Sequence, residues 1–130
     1  MCSLKIAVAQ VPSKKGDIVE NLATHLNAIE KAHSHDVSYL VFPELSLTGY
    51  EPELAAKLAF TPDDNRLLPL VESAKKNKMH IGVGAPLVAQ GLPKIGLLIF
   101  SPDGSVETYA KMNVTPTEHK FFRLAEHITP

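Results

Sequence analysis

The hydrophobic period changes twice between residues 4 and 42, and that alternation restricts the chain to folds in which a helix crosses between strands. Leu4 to Val11 alternates residue by residue, with Leu4, Ile6 and Val8 on one side and Ala7 and Ala9 on the other. This is the pattern of a strand, here expected to be buried on both faces, and Pro12 ends it. From Asp17 the period lengthens: Ile18, Val19, Leu22, Leu26 and Ile29 recur at helical spacing, and Asp17 with Glu20 three residues later forms a capping-box pattern. Val37 to Phe42 returns to a β-branched and aromatic run that Pro43 stops, so Glu44 stands immediately past the carboxyl end of a second strand.

The rest of the chain repeats the theme. Thr61-Pro62-Asp63-Asp64 carries a cap, a tolerated proline and two carboxylates suited to a helix N-terminus. The helix continues through Val71 and Ala74 to about Lys78. Pro69 would break a helix interior, so the regular part is expected to begin near it. Met79 to Ala85 and Ile95 to Ser101 read as strands, and the turn residues Pro102-Asp103-Gly104 join the latter to Val106 through Lys111 as a hairpin. Asn113 to Glu118 reads as a loop. Strand, helix, strand, helix and three strands make an α/β layer with right-handed βαβ crossovers, and no linker or repeat divides it.

Composition narrows the function. The 13 basic and 14 acidic residues are intermixed, leaving net charge −1 and no basic stripe for a phosphate backbone, so nucleic acid is not an expected partner. The N-terminal residues carry no charged region followed by an apolar one, and Asp, Lys or Pro interrupts every apolar run before it could span a bilayer. A soluble, cytoplasmic protein without a membrane partner is expected. The single cysteine, Cys2, cannot form an internal disulfide, and the six histidines show no ligand pair at helical i, i+4 spacing, so neither a metal nor a cofactor is expected. Gly82-Val83-Gly84 lacks the third glycine and following helix of a dinucleotide fingerprint, and reads as a place of close backbone packing. His33-Ser34-His35 and Lys75-Lys76-Asn77-Lys78 read as solvated helix C-termini, where basic residues suit the dipole.

Ligands of α/β sheets gather beyond the carboxyl ends of strands, and Glu44 and Lys111 both stand at such ends. Position alone decides little, because strands end at the surface and so do most charges. The surrounding residues say more. Val41-Phe42-Pro43-Glu44-Leu45-Ser46-Leu47-Thr48-Gly49-Tyr50 resembles the first signature of the nitrilase superfamily, in which an apolar strand delivers a glutamate and a short loop ends in glycine and an aromatic residue. Tyr109-Ala110-Lys111, followed by Glu118 and Phe121-Phe122, resembles the second signature, and Lys5 to Gln10 resembles the family's opening strand.

The resemblance implies the N-terminal portion of a nitrilase-like α-β-β-α sandwich, with residues 1–130 a partial carbon–nitrogen hydrolase domain. In that family a cysteine thiolate attacks an amide or nitrile carbon and forms an acyl-enzyme that water hydrolyses. Carried over, Glu44 is the general base, Lys111 stabilises the developing oxyanion, and Glu118 positions substrate or the lysine, while Tyr109 packs. The family's nucleophile follows the second signature on a strand-to-helix turn for which these 130 residues hold no counterpart. Cys2 precedes the first strand and reads as an unpaired terminal residue; the sharper alternative, an N-terminal nucleophile exposed by loss of Met1, has no supporting feature elsewhere.

Two functions remain open. One is hydrolysis of a small amide, nitrile or carbamoyl compound by a Glu-Lys-Cys triad of which this chain holds two members, inactive alone and completed by a cysteine-bearing C-terminal half or relative. The other is a non-catalytic truncated paralogue that binds a full-length relative. The family pairs through helices, so a homodimer is also implied. A half sandwich would leave one sheet face exposed, which favours association.

Overall fold

The computed structural model describes residues 5–49, 55–89 and 93–110. Gly16 takes the left-handed conformation at φ 75°, and Asp17 then opens α1 (Ile18–His33), its carboxylate accepting the Glu20 N–H at 3.0 Å. That bond satisfies one of the N–H groups a helix start leaves unpaired. Among the described residues, Glu20 does not return the second bond of a capping box, for a local reason. The Asp17 N–H already donates to the Lys14 carbonyl at 3.2 Å, and the Glu20 carboxylate meets the Lys14 ammonium at 2.9 Å.

Among the described residues, five strands form one sheet in chain order: β1 (Ile6–Val8), β2 (Tyr39–Val41), β3 (His80–Leu87), β4 (Lys94–Phe100) and β5 (Val106–Ala110). β1, β2 and β3 pair in parallel and the remainder antiparallel, so α1 crosses from β1 to β2 and a second helical segment crosses from β2 to β3. That segment holds the short α2 (Ala55–Leu58), a 3-10 turn (Asn65–Leu67) capped by Asp64, and α3 (Leu68–Asn77). Pro69 falls in the first turn of α3, where its missing N–H removes no helical bond, as its place in the sequence predicts. The Arg66 guanidinium beside Asp64 holds that carboxyl below the usual carboxylate range and keeps the cap charged. The β4–β5 hairpin forms over the expected turn, with Gly104 at φ 90° and Ser101 and Ser105 paired at 3.0 Å.

A single core forms where α1 and α3 lie on one face of the sheet. Ile29 and Ala32 from α1, Leu70 and Ala74 from α3, and Leu40, Ile81, Val83, Leu98 and Phe100 from the strands are all buried there. On the other face β1 and β2 are uncovered among the described residues, whereas Gly82, Gly84 and Ile95 are buried. This corrects the expectation of a first strand buried on both sides: Ala7, Ala9 and Val11 pack against the core, while Ile6 is 62% and Val8 71% exposed. In register beside them, Tyr39 and Val41 are exposed too, and the Tyr39 ring stacks on His80 at 4.3 Å.

The buried stripe of α1 is also rotated from the expected one. Val19 is 82% exposed, Leu22 and Leu26 lie half-buried at the flank, and the fully covered line is Asn21, His25, Ile29 and Ala32. Two polar side chains therefore occupy the centre of a helix–sheet interface. Buried polar groups persist only when hydrogen-bonded. Their partners lie in the loop that follows β2.

Candidate active site

Glu44 stands three residues beyond β2. Phe42 still pairs with the sheet, its N–H donating to Gly82 O at 2.8 Å, and Pro43 then ends the ladder because it has no N–H to offer. The chain folds back at once. Leu45, directly after Glu44, adopts the left-handed conformation at φ 54°, an arrangement that costs a branched side chain about 1–3 kcal/mol. Gly49 closes the loop at φ 72°, where an added Cβ would press on the Lys15 backbone at 3.1 Å.

Several interactions hold this turn in place. Within it, Ser46 N–H donates to Pro43 O at 3.1 Å and Gly49 N–H to Leu45 O at 2.8 Å. Toward β3, Leu47 N–H donates to Gly84 O at 3.0 Å, and Gly84 N–H donates to the Ser46 hydroxyl at 3.2 Å. Toward the segment before α1, Gly16 N–H donates to Thr48 O at 2.7 Å and the Ser13 hydroxyl to Ser46 O at 2.8 Å. The Asn21 amide donates to Leu47 O at 2.9 Å and Lys14 O at 2.7 Å while accepting the Lys14 N–H. Finally, His25 Nε2 lies 2.8 Å from the Ser46 hydroxyl and Nδ1 2.6 Å from Asn21 O. Burial pushes the His25 pKa down, favouring the neutral ring.

Gly84 explains how the turn comes so close to the sheet. An added Cβ there would collide with Pro43 O and Leu45 N and lie 2.8 Å from the Glu44 carbonyl carbon. The expected close backbone packing thus holds for Gly84. It does not hold for Gly82, where a Cβ would meet only the Leu97 side chain at an ordinary 3.5 Å.

Glu44 is exposed and borders a cavity of about 310 Å³, walled also by Gly84, Gly96, Leu97, Tyr109 and Ala110. That volume is at the small end of ligand pockets. The Tyr109 hydroxyl donates to the Glu107 carboxylate at 3.1 Å, and that bond raises its pKa. Lys111, Glu118 and Cys2 lie outside the described residues. Ala110, the residue before Lys111, lines the same cavity as Glu44. Sequence reasoning missed Asn21, His25 and Ser46. The available signal was the i, i+4 spacing of Asn21 and His25 in line with Ile29, polar residues filling an apolar stripe. Among the described residues, no group of three His, Cys, Asp or Glu side chains could hold a metal ion, and no helix is long and apolar enough to cross a membrane.

In a mixed α/β sheet, an acidic residue at the carboxyl end of a parallel strand, beside a cavity, stands where ligands gather. The carbon-nitrogen hydrolase family model matches residues 5–127, and the chain belongs to that family. An (R)-stereoselective amidase from Pseudomonas sp. is 28% identical over 127 residues, 97% of this chain and 46% of the amidase. A glutamine-dependent NAD(+) synthetase from Thermotoga maritima is 36% identical over 69 residues, 52% of this chain and 12% of the synthetase. In fold, the chain is similar to an amidase from Nesterenkonia sp., with a TM-score of 0.82, 23% identity and coverage of 95% of this chain and 49% of that one. It is likewise similar to a CN-hydrolase superfamily protein from Xanthomonas campestris, with a TM-score of 0.84, 20% identity and coverage of 98% and 48%. The chain therefore spans less than half the length of these curated relatives and about half of the solved ones.

Proposed function

We propose that the protein carrying this sequence hydrolyses the carbon–nitrogen bond of a small amide, with Glu44 as general base, Lys111 stabilising the oxyanion and Glu118 positioning substrate or the lysine. The observation that carries this reading is the shared cavity of Glu44 and Ala110, adjoining Lys111 in sequence, in a member of the carbon-nitrogen hydrolase family. The nucleophile is a cysteine from a further segment or from a partner, because Cys2 precedes the first strand. Glu44 takes the thiol proton; the thiolate attacks the carbonyl carbon, and the charge that builds on oxygen faces Lys111. The C–N bond breaks as Glu44 returns the proton to the leaving amine. Glu44 then takes a proton from water, whose oxygen attacks the thioester carbonyl carbon; the C–S bond breaks, the carboxylic acid is released, and Glu44 returns the proton to the thiolate.

Residues 1–130 by themselves do not turn over in this scheme. Nitriles and carbamoyl compounds share the chemistry and are alternative substrates. The open apolar face of Ile6, Val8, Tyr39 and Val41 favours the second reading, a non-catalytic partner of a full-length relative, because an uncovered sheet face invites association.

One relative supplies the probe. A glutamate mutant of the Nesterenkonia amidase carries the acetamide moiety of fluoroacetamide on its active-site cysteine. The protein isolated from its source should be treated with fluoroacetamide, its adduct mapped by mass spectrometry, and its intact mass compared with 14.1 kDa. A single adduct on a cysteine other than Cys2, with amide turnover in the untreated protein, is expected. Amide turnover with Cys2 as the only modified residue would contradict the assignment, and no turnover with no adduct would favour the non-catalytic reading.

A further inference from the structure

His25 is fully buried, yet it has no part in the proposed chemistry, and its hydrogen bonds fix its tautomer. A backbone carbonyl can only accept, so Nδ1, 2.6 Å from Asn21 O, carries the proton. In a neutral ring Nε2 is then an acceptor, and the Ser46 hydroxyl donates to it across 2.8 Å. The Ser46 oxygen in turn accepts the Gly84 N–H at 3.2 Å. A continuous chain of donors therefore runs from β3 through the turn to α1. Phe42 covers the ring, its centroid 4.2 Å away, closing the site from the β2 side.

This chain meets the turn at Ser46, two residues past Glu44 and next to Leu45, whose left-handed backbone is the strained point of the loop. Strain of that kind persists only where the surroundings over-determine it. One helical turn before His25, Asn21 grips Leu47 O, so two side chains of α1 hold consecutive residues of the turn from below. We propose that His25 is a positioning residue for Glu44: its neutral Nδ1–H imidazole orients the Ser46 hydroxyl, which ties the strained turn to Gly84 and thereby aims the carboxylate into the cavity. The inference rests on the hydrolase reading of Glu44. It assigns a role to a residue that touches neither substrate nor nucleophile.

The test uses the native protein with His25→Leu, His25→Gln and Ser46→Ala, measuring kcat, KM and the urea midpoint of each. The glutamine amide oxygen offers Ser46 an acceptor near the place of Nε2, whereas leucine offers none. A misplacement of about 1 Å at a reacting group lowers a rate on the order of a hundredfold. His25→Leu and Ser46→Ala are therefore expected to lose kcat by at least tenfold at little change in KM, with His25→Gln recovering most of it. A structural role alone would make kcat per folded molecule independent of the substitution. A folded His25→Leu or Ser46→Ala protein with wild-type kcat overturns the proposal.

If His25→Leu does not fold, Ser46→Ala and the wild-type protein still decide. Long-range proton–nitrogen correlation spectra of histidine-labelled protein should show the Nδ1–H tautomer at His25, and the Gly84 amide should lose exchange protection in Ser46→Ala. An Nε2–H tautomer overturns the hydrogen-bond chain whatever the activity. A wild-type protein with no amide turnover overturns the hydrolase reading instead, and with it the catalytic purpose of the clamp.

Discussion

Replacing Gly84 by alanine places a methyl group against the backbone that carries Glu44. The added carbon would overlap Pro43 O and Leu45 N and sit 2.8 Å from the Glu44 carbonyl carbon, where ordinary contact begins at 3.4 Å. The obstructing atoms are backbone on both sides of Glu44, so no side chain can swing aside. Relief requires the turn to retreat by about 1 Å against the bonds to Ser46, Leu47 and Thr48, and overpacking of this kind costs about 1–3 kcal/mol. The same displacement at Glu44, the proposed general base, would lower kcat roughly a hundredfold. Gly82→Ala is the control on the same strand, since its methyl group meets Leu97 at 3.5 Å. Urea midpoints and amide hydrolysis rates of the two variants should diverge, with Gly84→Ala impaired in both and Gly82→Ala near wild type. Wild-type rate and midpoint in Gly84→Ala would refute the argument, as would equal damage in the two variants.

Other expectations follow from the same geometry. Burial lowers the His25 pKa from its ordinary 6.5, so the unfolded chain takes up a proton that the folded chain refuses. The stability owed to the neutral ring is fully present above pH 6.5 and falls as pH drops below it, at up to about 1.4 kcal/mol per pH unit. Urea midpoints across that window should show this slope in wild type and lose it in His25→Gln; an unchanged slope in the variant would count against burial of a neutral ring. Asn21→Ala orphans the Leu47 and Lys14 backbone groups and should lower stability by about 1–3 kcal/mol for each group left without water. A midpoint within error of wild type would mean that solvent replaces the side chain. Residues 1–130 alone should self-associate and bind hydrophobic dye through Ile6, Val8, Tyr39 and Val41, with lysine at Val8 and Val41 reducing both in ultracentrifugation and fluorescence. A monodisperse wild-type monomer without dye binding would contradict this.

Much of the scaffold was legible because its signals are local. Asp17 caps α1 through a bond to a residue three positions away, Pro43 stops a ladder by lacking a donor, and Pro69 can stand only in a first helical turn. The placement of Glu44 followed from that second signal. What escaped the sequence depends on distant partners. Alternation in β1 reveals two faces but not which one the helices cover, and the alanine face proved to be the covered one. Apolar periodicity assigned α1 to Leu22 and Leu26 because it gives no weight to polar residues. Asn21 and His25 are buried because the turn after β2 supplies carbonyl and hydroxyl partners 26 and 21 positions further along the chain, respectively. The short helix Ala55–Leu58 has too few residues to show a helical period in the sequence.

The central claim is that Glu44 acts as the general base of a carbon–nitrogen hydrolase, and Glu44→Gln tests it most directly. Glutamine keeps the size of the side chain and removes its capacity to accept a proton at neutral pH. Ammonia release from a small aliphatic amide should be followed in the native protein and the variant, with urea midpoints recorded for both. The account predicts a loss of kcat per folded molecule on the order of 10²–10⁴-fold. Turnover by Glu44→Gln at the wild-type rate would contradict it.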